Sequence, residues 1–352
     1  MLKKKILILV SDISKSGGTE RASVNLANML CDTYDIEILS VHNGKGAASY
    51  FEVNKSVKLT NFDLTVESPI KNFFNNYKLL KKYLKRKEID FIFGMWYGIS
   101  TVLPLIKSKK NKVIACEHAD FNANSFSVKI LARLLYPKLD AVVVLSDLAR
   151  IKLNKYNKVV AVIPNCLPFA TDSTSTLQQK RILMVGRFVA VKGYERIFPL
   201  AHHLRQHHKD WVIEIFGDGD LKDFFADRLV NENLNNVILN GAVSNIKDKY
   251  LNSSIYLSTS YNEAMPMVFL EAMSCGLPII SYVNEGSEYL IRNGYNGYLI
   301  NSPEDLIENC DKLINSIDLR EQIGQNGLTM SLDFSESNVK EMWANFLNTI
   351  KK

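Results

Sequence analysis

The sequence predicts two α/β domains in tandem, each with a doubly wound sheet of parallel strands. The chain has 352 residues, whereas single hydrophobic cores stop growing at roughly 250–300 residues. Short apolar runs alternate with longer segments of helical period, a pattern typical of parallel sheets covered by helices. A polar, Ser/Thr-rich break at 170–180 interrupts this alternation, which then starts again.

Seven strands are predicted before the break and six after it. The first seven lie near residues 5–10, 35–41, 57–62, 89–95, 112–116, 140–145 and 158–163. The other six lie near 181–186, 211–216, 236–240, 254–259, 277–282 and 297–301. Helical periodicity fills the intervals, and helices near 303–315, 318–329 and 335–350 end the chain. We therefore expect one domain over residues 1–168 and a second over 169–334.

Charge is divided unequally between the two halves. Residues 1–166 contain 26 Lys/Arg and 14 Asp/Glu, a net charge of +12, whereas residues 167–352 contain 17 and 23, a net charge of −6. Such a split suggests two modules with different partners. Charged residues make up 23% of the chain and hydrophobic ones 47%, which excludes a disordered polyelectrolyte.

Cysteine usage and the N-terminal residues indicate a cytoplasmic protein with reduced thiols. The five cysteines are far apart and form no CxxC pair, which argues against a disulfide framework and against a cysteine zinc site. The apolar run Ile6–Val10 is too short for a signal peptide, and we interpret it as the first strand. No run approaches the ~20 apolar residues of a membrane-spanning helix.

The strongest motif follows the fourth strand of the second domain. Pro266 suits a first helical turn, where its missing N–H costs nothing, so the N–H groups of Met267 and Val268 would be free to bind an anion. Glu263 precedes this helix and Glu271 lies within it, with seven residues between them. Two carboxylates beside an anion site suit a ligand with hydroxyls on both sides of a phosphate. Acidic residues at a helix start are also common without a ligand.

Two further loops follow strand ends. Arg187 follows the first strand of the second domain and Lys192 opens the next helix, so both should lie at the same sheet edge as Glu263. Two fixed cations there can neutralise the charge that develops on a diphosphate leaving group. Gly17 and Gly18 lie between the first strand and the first helix, and would let a ligand approach the backbone closely. Their spacing is not GxGxxG, so a dinucleotide fingerprint is unsupported.

Together these segments resemble the retaining glycosyltransferases of family 4, of the bacterial surface-polysaccharide type. The resemblance is densest at the Gly-Gly-Thr-Glu-Arg loop from residue 17, at 186–193, at 217–219 and from 263 to 278. It implies the GT-B fold, in which two Rossmann-like domains face each other across a cleft. It also implies that the last helix, within 335–352, crosses back onto the first domain.

The resemblance implies a role for each candidate residue. The catalytic residues would be Arg187 and Lys192, which clamp the diphosphate, Glu263, which bonds the donor sugar, and His118, which lies beside that sugar. Glu271 would bind the ribose hydroxyls. The other donor contacts would be Gly17, Gly18, Gly217, Met265, Pro266, Met267 and Val268.

The chain departs from the family pattern at two places. Many relatives have a Gly-rich stretch where residues 264–267 read Ala-Met-Pro-Met, and the proline removes one backbone donor. Residues 217–220 read Gly-Asp-Gly-Asp instead of Gly-x-Gly-Pro, which creates an Asp-x-Asp sequence. We interpret it as a turn and expect neither a metal nor another cofactor, because Arg187 and Lys192 already supply positive charge.

Residues 70–87 carry seven basic side chains and no acidic one, with apolar residues at helical spacing. They could form a peripheral helix that packs on the first sheet and leaves a solvated basic face. They could also contact anionic lipid at the cytoplasmic face of the inner membrane, which would suit a polyprenyl-diphosphate- or lipid-linked acceptor. A nucleic-acid partner is not expected, because no recognition motif accompanies the charge.

The sequence thus predicts a metal-independent, retaining hexosyltransferase. It would move a hexose or N-acetylhexosamine from a nucleotide-diphosphate sugar, with UDP favoured, to a lipid-linked or growing glycan. The product would belong to a surface polysaccharide such as O-antigen, lipopolysaccharide or capsule, and the enzyme would be a peripheral protein of the inner membrane. Two alternatives remain open: a UDP-N-acetylglucosamine 2-epimerase on the same fold, and a non-catalytic sugar-nucleotide binding protein.

Overall fold

The chain divides into two compact units, each with its own parallel sheet and core. The computed structural model describes residues 3–42, 48–64, 67–85, 87–169, 172–243 and 245–350. One unit comprises Met1–Cys166 and Glu336–Lys352, and the other comprises Leu167–Ser335. From the sequence, these divisions were expected at 168/169 and 334/335.

The first unit is a seven-stranded parallel sheet with its helices. Its strands are β1 (Lys5–Val10), β2 (Asp35–Ser40), β3 (Lys58–Asn61), β4 (Phe91–Gly94), β5 (Lys112–Glu117), β6 (Ala141–Val144) and β7 (Val160–Val162). They are ordered β3-β2-β1-β4-β5-β6-β7, so the order reverses between β1 and β4. Its helices are α1 (Gly18–Leu30), α2 (Pro69–Leu84), α3 (Tyr97–Ser100), α4 (Leu103–Ile106), α5 (Phe126–Leu135) and α6 (Asp147–Leu153).

Both faces of this sheet are buried. Along β1, Ile6 and Ile8 belong to the hydrophobic cluster that includes α1, whereas Leu7 and Leu9 belong to the cluster that includes residues of α2 and α3. All four side chains are fully buried. A parallel strand covered on both sides has this near-continuous apolar sequence, which explains why the strands were predictable.

One acidic side chain of this sheet is buried in a polar network. Glu37 of β2 is within 2.8 Å of Lys58 Nζ and 2.7 Å of Lys87 Nζ, and it accepts hydrogen bonds from Thr60 and Tyr83. Burial alone would raise the pKa of this carboxyl, but these four partners lower it to about 2. The network therefore holds Glu37 charged inside the unit.

The second unit is a six-stranded parallel sheet with its helices. Its strands are β8 (Arg181–Val185), β9 (Val212–Phe216), β10 (Val237–Asn240), β11 (Ile255–Ser258), β12 (Ile279–Tyr282) and β13 (Gly297–Ile300). They are ordered β10-β9-β8-β11-β12-β13, with a reversal between β8 and β11. Its helices are α7 (Phe198–His207), α8 (Lys222–Asn231), α9 (Lys247–Leu251), α10 (Met267–Ser274), α11 (Glu285–Leu290), α12 (Pro303–Asn315) and α13 (Ile317–Ser331).

The last helix, α14 (Glu336–Ile350), belongs to the first unit. Val339, Trp343 and Leu347 are buried in the cluster that contains Ile6 and Ile8. The Trp343 ring stacks on Phe93 of β4, with 5.3 Å between ring centroids. The first unit therefore takes part of its core from the end of the chain.

The predicted elements agree closely with the structure. All thirteen predicted strands are present, with ends shifted by at most two residues. The last three helices occupy Pro303–Asn315, Ile317–Ser331 and Glu336–Ile350. Residues 172–180 of the predicted linker contain neither helix nor strand, and residues 170–171 lie outside the described residues. All five cysteines are buried free thiols, and no helix of the described ranges is long and apolar enough to cross a bilayer.

Candidate functional site

The candidate site lies at the carboxyl edge of the second sheet, where the strand order reverses. Ligands of open parallel sheets bind outside the carboxyl ends of the strands at such a reversal. β8 and β11 are hydrogen-bonded neighbours there. The loop after β8 carries Arg187 and Lys192, and the loop after β11 carries Glu263. The topology therefore brings together residues that are far apart in the chain.

The loop after β8 packs tightly on the loop after β9. The N–H of Gly186 donates to the carbonyl of Phe216 at 3.0 Å, and the N–H of Phe188 donates to that of Asp218 at 2.9 Å. A Cβ on Gly217 would lie 1.9 Å from the Gly186 carbonyl oxygen, at a φ of +152°. Only glycine fits this approach, so packing explains the Gly217 turn without a ligand.

Lys192 is placed by a short 3₁₀ turn, Ala190–Lys192, that packs on the loop after β11. The Thr259 hydroxyl donates to the Lys192 carbonyl at 2.8 Å. Gly193 follows in the left-handed region, with a φ of +59°, and a Cβ there would lie 2.4 Å from the Thr259 carbonyl oxygen. Lys192 and Gly193 lie directly before the next helical segment, as predicted: Gly193 ends the first turn, a second 3₁₀ turn at Tyr194–Ile197 follows, and α7 continues from Phe198.

Lys192 and Glu263 form an ion pair with each other. Lys192 Nζ lies 2.5 Å from Glu263 Oε1, and the two side chains are 21% and 17% exposed. The sequence assigned them to separate parts of a donor, whereas here each neutralises the other. The Glu263 backbone is also held in place, because its carbonyl accepts the Gly286 N–H at 2.8 Å. The pair lines a small cavity together with Tyr194 and Val268. The cavity has a volume of about 10 Å³, which is room for about one water.

Helix α10 begins beside this pair. The sequence predicted Pro266 in the first helical turn. In the structure it is instead the extended residue directly before the helix. Its carbonyl accepts the Phe269 N–H at 3.0 Å. Met267 and Val268 are the first two helical residues, and a helix has no acceptor of its own for the N–H groups of its first turn. These N–H groups form the positive end of the helix dipole, as the sequence anticipated.

Glu271 is fully buried within α10. The Tyr250 hydroxyl donates to its Oε2 at 2.6 Å, and the Tyr250 ring stacks on Tyr256 with 5.8 Å between centroids. A ribose could reach this carboxylate only if the surrounding side chains moved. Met265 and Met267 are also buried.

Arg187 differs from Lys192 in having an exposed side chain. Among the described residues it has no ion pair and no side-chain hydrogen bond. Its guanidinium group is therefore available to an anion without breaking an existing contact. A guanidinium can bind two phosphate oxygens at once, which suits a diphosphate.

The first unit carries the other candidates at the carboxyl edge of its own sheet. Gly17 is the residue before α1 and Gly18 is the first of that helix. A Cβ on Gly18 would meet no atom within 4 Å, so the backbone there borders open space. His118 follows β5, is half-buried, and has an Nδ1 with no hydrogen-bond partner among the described residues. Burial lowers the pKa of this imidazole to about 4, so it is neutral at pH 7.

Glu117, the residue before His118, is a further buried titratable group that the sequence motifs did not indicate. Its side chain is buried, and the Tyr136 hydroxyl lies 2.5 Å from its Oε1. Burial raises the pKa of this carboxyl to about 8, against the opposing effect of hydrogen bonds from Tyr136 and Ser100. The sequence offered one sign of this buried carboxyl: Glu117 comes directly after the apolar residues 113–116 of a predicted strand.

A larger groove, of about 1240 Å³, lies elsewhere on the first unit. It is at the amino ends of the strands, opposite to the edge that carries His118, and is not part of the candidate site. Its lining includes many lysines, among them Lys3, Lys81, Lys85 and Lys107.

Two family models match the chain in adjoining segments. The model for Glycosyltransferase Family 4 matches residues 16–169, and the model for Glycosyl transferases group 1 matches residues 170–330. The chain belongs to glycosyltransferase family 4. The family expected from the sequence is thereby confirmed.

Curated relatives of this family 4 glycosyltransferase align along nearly its whole length. An uncharacterized glycosyltransferase of Haemophilus influenzae is 28% identical, over 98% of this chain and 100% of the relative. The amylovoran biosynthesis glycosyltransferase AmsD of Erwinia amylovora is 27% identical, over 98% and 99%. A Campylobacter jejuni α-1,4-N-acetyl-D-galactosaminyltransferase, whose name includes a diNAcBac-PP-undecaprenol glycan, is 26% identical over 99% of both chains.

Solved structures show the fold of this family 4 glycosyltransferase. Sucrose-phosphate synthase of Thermosynechococcus elongatus superposes with a TM-score of 0.83 at 16% identity, over 99% of both chains. A mutant of S. aureus TarM, in a complex that contains UDP, gives 0.81 at 16% identity, over 98% of this chain and 100% of TarM. Anabaena HepE in complex with UDP gives 0.80 at 18% identity, with the same coverage. The predicted GT-B architecture of two Rossmann-like domains is confirmed.

Proposed function

We propose that this enzyme is a retaining, metal-independent hexosyltransferase. It transfers a hexose or N-acetylhexosamine from a UDP-sugar to a hydroxyl of a lipid-linked or growing glycan during synthesis of a bacterial surface polysaccharide. The observation that carries the proposal is the Lys192–Glu263 pair, which lies at the strand reversal of the second sheet beside the start of α10.

The pair is suited to a ligand that carries both a diphosphate and sugar hydroxyls. A diphosphate at the first turn of α10 competes with Glu263 for Lys192, and the released carboxylate then accepts hydrogen bonds from hydroxyl groups. Arg187 adds a second cation without losing a contact. Hydrogen bonds to charged groups contribute roughly 1.5–3 kcal/mol each, so several new bonds of this kind can offset the loss of one largely buried ion pair. The preference for UDP draws support from HepE, which was solved with UDP and with UDP-glucose.

The same groups supply the chemistry. The bond between the anomeric carbon and the diphosphate oxygen breaks, and negative charge develops on the departing diphosphate. Arg187, Lys192 and the start of α10 stabilise that charge, which is why no divalent cation is required. The acceptor hydroxyl attacks the anomeric carbon from the face that the diphosphate leaves, and its proton passes to the departing diphosphate oxygen. Glu263 is not a nucleophile. Neutral His118 can take part in hydrogen bonds to the sugar but does not contribute charge.

Donor binding is tested by thermal shift with UDP-, GDP-, ADP- and dTDP-sugars, because a bound donor stabilises the protein by mass action. We expect stabilisation by UDP-sugars above all others. Arg187→Ala should weaken it, whereas Lys312→Ala, which removes an exposed lysine paired with Glu308, should not. Stabilisation by another nucleotide alone would overturn the UDP assignment.

Transfer is tested by turnover with a glycan acceptor. Lys192→Ala and Glu263→Ala should each lower kcat by about 10²–10³-fold while both variants still fold, although each leaves its former partner without a counter-charge. The anomeric configuration of the product, read by NMR, should match that of the donor, and EDTA should leave turnover intact. Near-normal kcat in either variant would refute the assignment of the site.

Two other outcomes identify the alternatives. Epimerisation of the donor with no acceptor present would identify a 2-epimerase. Donor binding without transfer to any acceptor would identify a binding protein. The transferase names of the curated relatives favour transfer over both.

The lipid-linked acceptor draws support from the undecaprenol diphosphate in the name of the C. jejuni relative. Helix α2 fits a role at the membrane surface. Ile70 and Phe74 are 61% and 54% exposed. Exposed lysines follow them, among them Lys78 and Lys82 on the helix and Lys85 just past its end. Of the predicted basic face, Arg86 lies outside the described residues.

Helix α5, which contacts α2, adds a second apolar surface. Phe126, Ile130 and Leu134 recur every four residues and are 79%, 43% and 63% exposed. The helix contains no acidic residue, and its Arg133 is exposed. Exposed apolar and basic side chains without acids are typical of a helix that lies in the interface of an anionic membrane.

Co-sedimentation with phosphatidylglycerol and phosphatidylcholine vesicles tests this surface. The wild type should bind anionic vesicles in a salt-dependent manner. The combined change Lys78→Gln, Lys82→Gln and Lys85→Gln should lower the affinity by about 100-fold, because each basic side chain near the surface contributes about 1 kcal/mol.

The contribution of the exposed apolar side chains of α5 to vesicle binding can be tested with a matched control. Phe126→Ser with Leu134→Ser should lower binding by more than about tenfold, because burying one such side chain contributes roughly 1.5–3 kcal/mol. Phe224→Ser removes a phenylalanine of the second unit that is 62% exposed, and it should leave vesicle binding unchanged. Absence of wild-type binding to anionic vesicles at low salt would refute the membrane proposal while leaving the transferase proposal intact.

A further inference from the structure

Four of the six histidines of the chain lie between residues 202 and 208. They occupy the last turns of α7 and the residue that follows it. His203, His207 and His208 lie near one another, with 4.6 Å between the ring centroids of the first two and 5.8 Å between those of His203 and His208. His202 points elsewhere, because its Nε2 lies 2.7 Å from Glu232.

Two of these imidazoles meet one carboxylate. His203 Nε2 lies 2.9 Å from Asp311 Oδ1 and 3.0 Å from Oδ2. His208 Nε2 lies 2.9 Å from the same Oδ1. Asp311 comes from α12, and no lysine or arginine pairs with it among the described residues. The side chains of His203, His208 and Asp311 are 20%, 17% and 32% exposed, so a small ion can reach them from solvent.

We propose that His203, His208 and Asp311 form a zinc-binding site. One potential ligand atom from each lies within 4.8 Å of the other two. Two imidazole nitrogens and one carboxylate oxygen form a ligand set that Zn²⁺ accepts, with water in the fourth position. Mg²⁺ and Ca²⁺ prefer oxygen ligands alone, so the two imidazoles select against them.

Two of the three ligand separations, those between the carboxylate and each imidazole, are already close to those around a bound ion. At Zn–N and Zn–O lengths of about 2.0–2.1 Å, neighbouring ligands of a tetrahedral ion are about 3.3 Å apart. The carboxylate would move away from each imidazole by roughly 0.4 Å, and the Nε2 hydrogens would shift to Nδ1 so that the Nε2 lone pairs face the ion. The imidazole ligand atoms lie within 4.8 Å of each other and would approach by up to about 1.5 Å through rotation of the partly exposed side chains.

The site would tie the end of α7 to the middle of α12. None of its three residues belongs to the candidate catalytic set, so bound metal would act on the stability of the second unit and not on the transfer reaction. This assignment does not depend on the proposed function, and it is compatible with turnover in EDTA at temperatures where the apoprotein stays folded.

The test uses full-length protein without an affinity tag, because a histidine tag would itself bind metal. Co²⁺ is titrated and its visible absorption recorded, since a four-coordinate site gives stronger bands than an octahedral one, and Zn²⁺ is then added to displace it. We expect one equivalent of Co²⁺ per chain, full displacement by Zn²⁺, and a melting temperature that rises with the Zn²⁺ concentration.

The variants separate a metal site from a hydrogen-bonded cluster. His203→Ala and Asp311→Asn should each weaken Co²⁺ binding by at least about tenfold and abolish the Zn²⁺-dependent rise in melting temperature. His202→Ala removes a histidine from the same helix that bonds Glu232 instead, and should bind as the wild type does. Failure of the wild type to bind one equivalent, or equal binding by His203→Ala and the wild type, would overturn the proposal. The wild-type titration decides the matter even if a variant fails to fold.

Discussion

Replacement of Glu117 by glutamine should change how the stability of the first unit depends on pH. The glutamine keeps the size of the side chain and an oxygen that can accept the Tyr136 hydroxyl, 2.5 Å away in the wild type. It cannot ionise. The substitution therefore removes a titration while leaving the packing at the end of β5 nearly unchanged.

The magnitude follows from the pKa of Glu117, which burial raises from 4.5 to about 8. Between these values the folded chain holds the proton and the unfolded chain does not. The free energy of unfolding therefore falls by about 1.4 kcal/mol per pH unit as the pH rises through this window, and levels off above pH 8. The loss over the whole window is about 5 kcal/mol, and Glu117→Gln should escape it.

Unfolding of the first unit can be followed separately from that of the second. Trp96 and Trp343 belong to the first unit and Trp211 to the second. In a Trp211→Phe background, tryptophan fluorescence during urea unfolding reports on the first unit alone. Measured at pH 5, 6, 7 and 8, the advantage of Glu117→Gln over the wild type should grow by about 4 kcal/mol.

Glu88→Gln is the matched control, because the Glu88 side chain is 85% exposed. It should follow the pH profile of the wild type. If the Glu117→Gln and wild-type profiles stay parallel from pH 5 to 8, Glu117 is ionised in the folded state and the reasoning from burial fails.

Three further substitutions test the packing of the units. Gly217→Ala should destabilise the second unit by roughly 3 kcal/mol or more in urea unfolding, because the new Cβ would lie 1.9 Å from the Gly186 carbonyl oxygen. Trp343→Ala should cost the first unit about 3–5 kcal/mol in thermal or urea unfolding, since it empties the place where the ring stacks on Phe93. Glu37→Gln should remove the acid-sensitive part of the first unit's stability, about 2 kcal/mol. The wild type has this contribution above pH 4.5 and loses it as the pH falls towards 2, because the folded pKa is lowered to about 2.

Each of these has an outcome that would contradict it. Gly241→Ala should leave the stability of the second unit nearly unchanged, because a Cβ there would meet only a flexible lysine tip at 3.9 Å. If Gly217→Ala is as mild as Gly241→Ala, the argument from close approach is wrong. A wild-type melting profile for Trp343→Ala would show that α14 contributes little to the core of the first unit. Unchanged acid unfolding in Glu37→Gln would show that the lysines around Glu37 do not depress its pKa.

The fold was predictable because parallel strands buried on both faces carry runs such as Ile6–Val10. Polar breaks and helical periods separate these runs, so the strand count followed directly. The placement of Arg187, Lys192 and Glu263 at one sheet edge also followed, since each comes after a strand and parallel strands end at one edge. The resemblance added the expected roles of these residues and of Glu271.

What the sequence did not reveal depended on side-chain contacts between distant segments. The bond between Lys192 and Glu263 requires the close approach at Gly193, which depends on backbone conformation. Glu117 looks like an ordinary strand end until Tyr136 and the surrounding apolar side chains are placed around it. The histidines near residue 203 gain a partner only when α12 brings Asp311 to them, and cysteine spacing carried no information about such a site.

The position of α14 has a consequence for how the chain folds during synthesis. The second unit is continuous, so its core can close as soon as Leu167–Ser335 has left the ribosome. The first unit is begun earlier but must wait for Trp343 and Leu347, which are translated after the second unit. Until then, the face of its sheet that contains Ile6 and Ile8 lacks part of its cover. The nascent protein therefore presents an apolar surface to chaperones until α14 has been made, and the unit begun first is completed after the second.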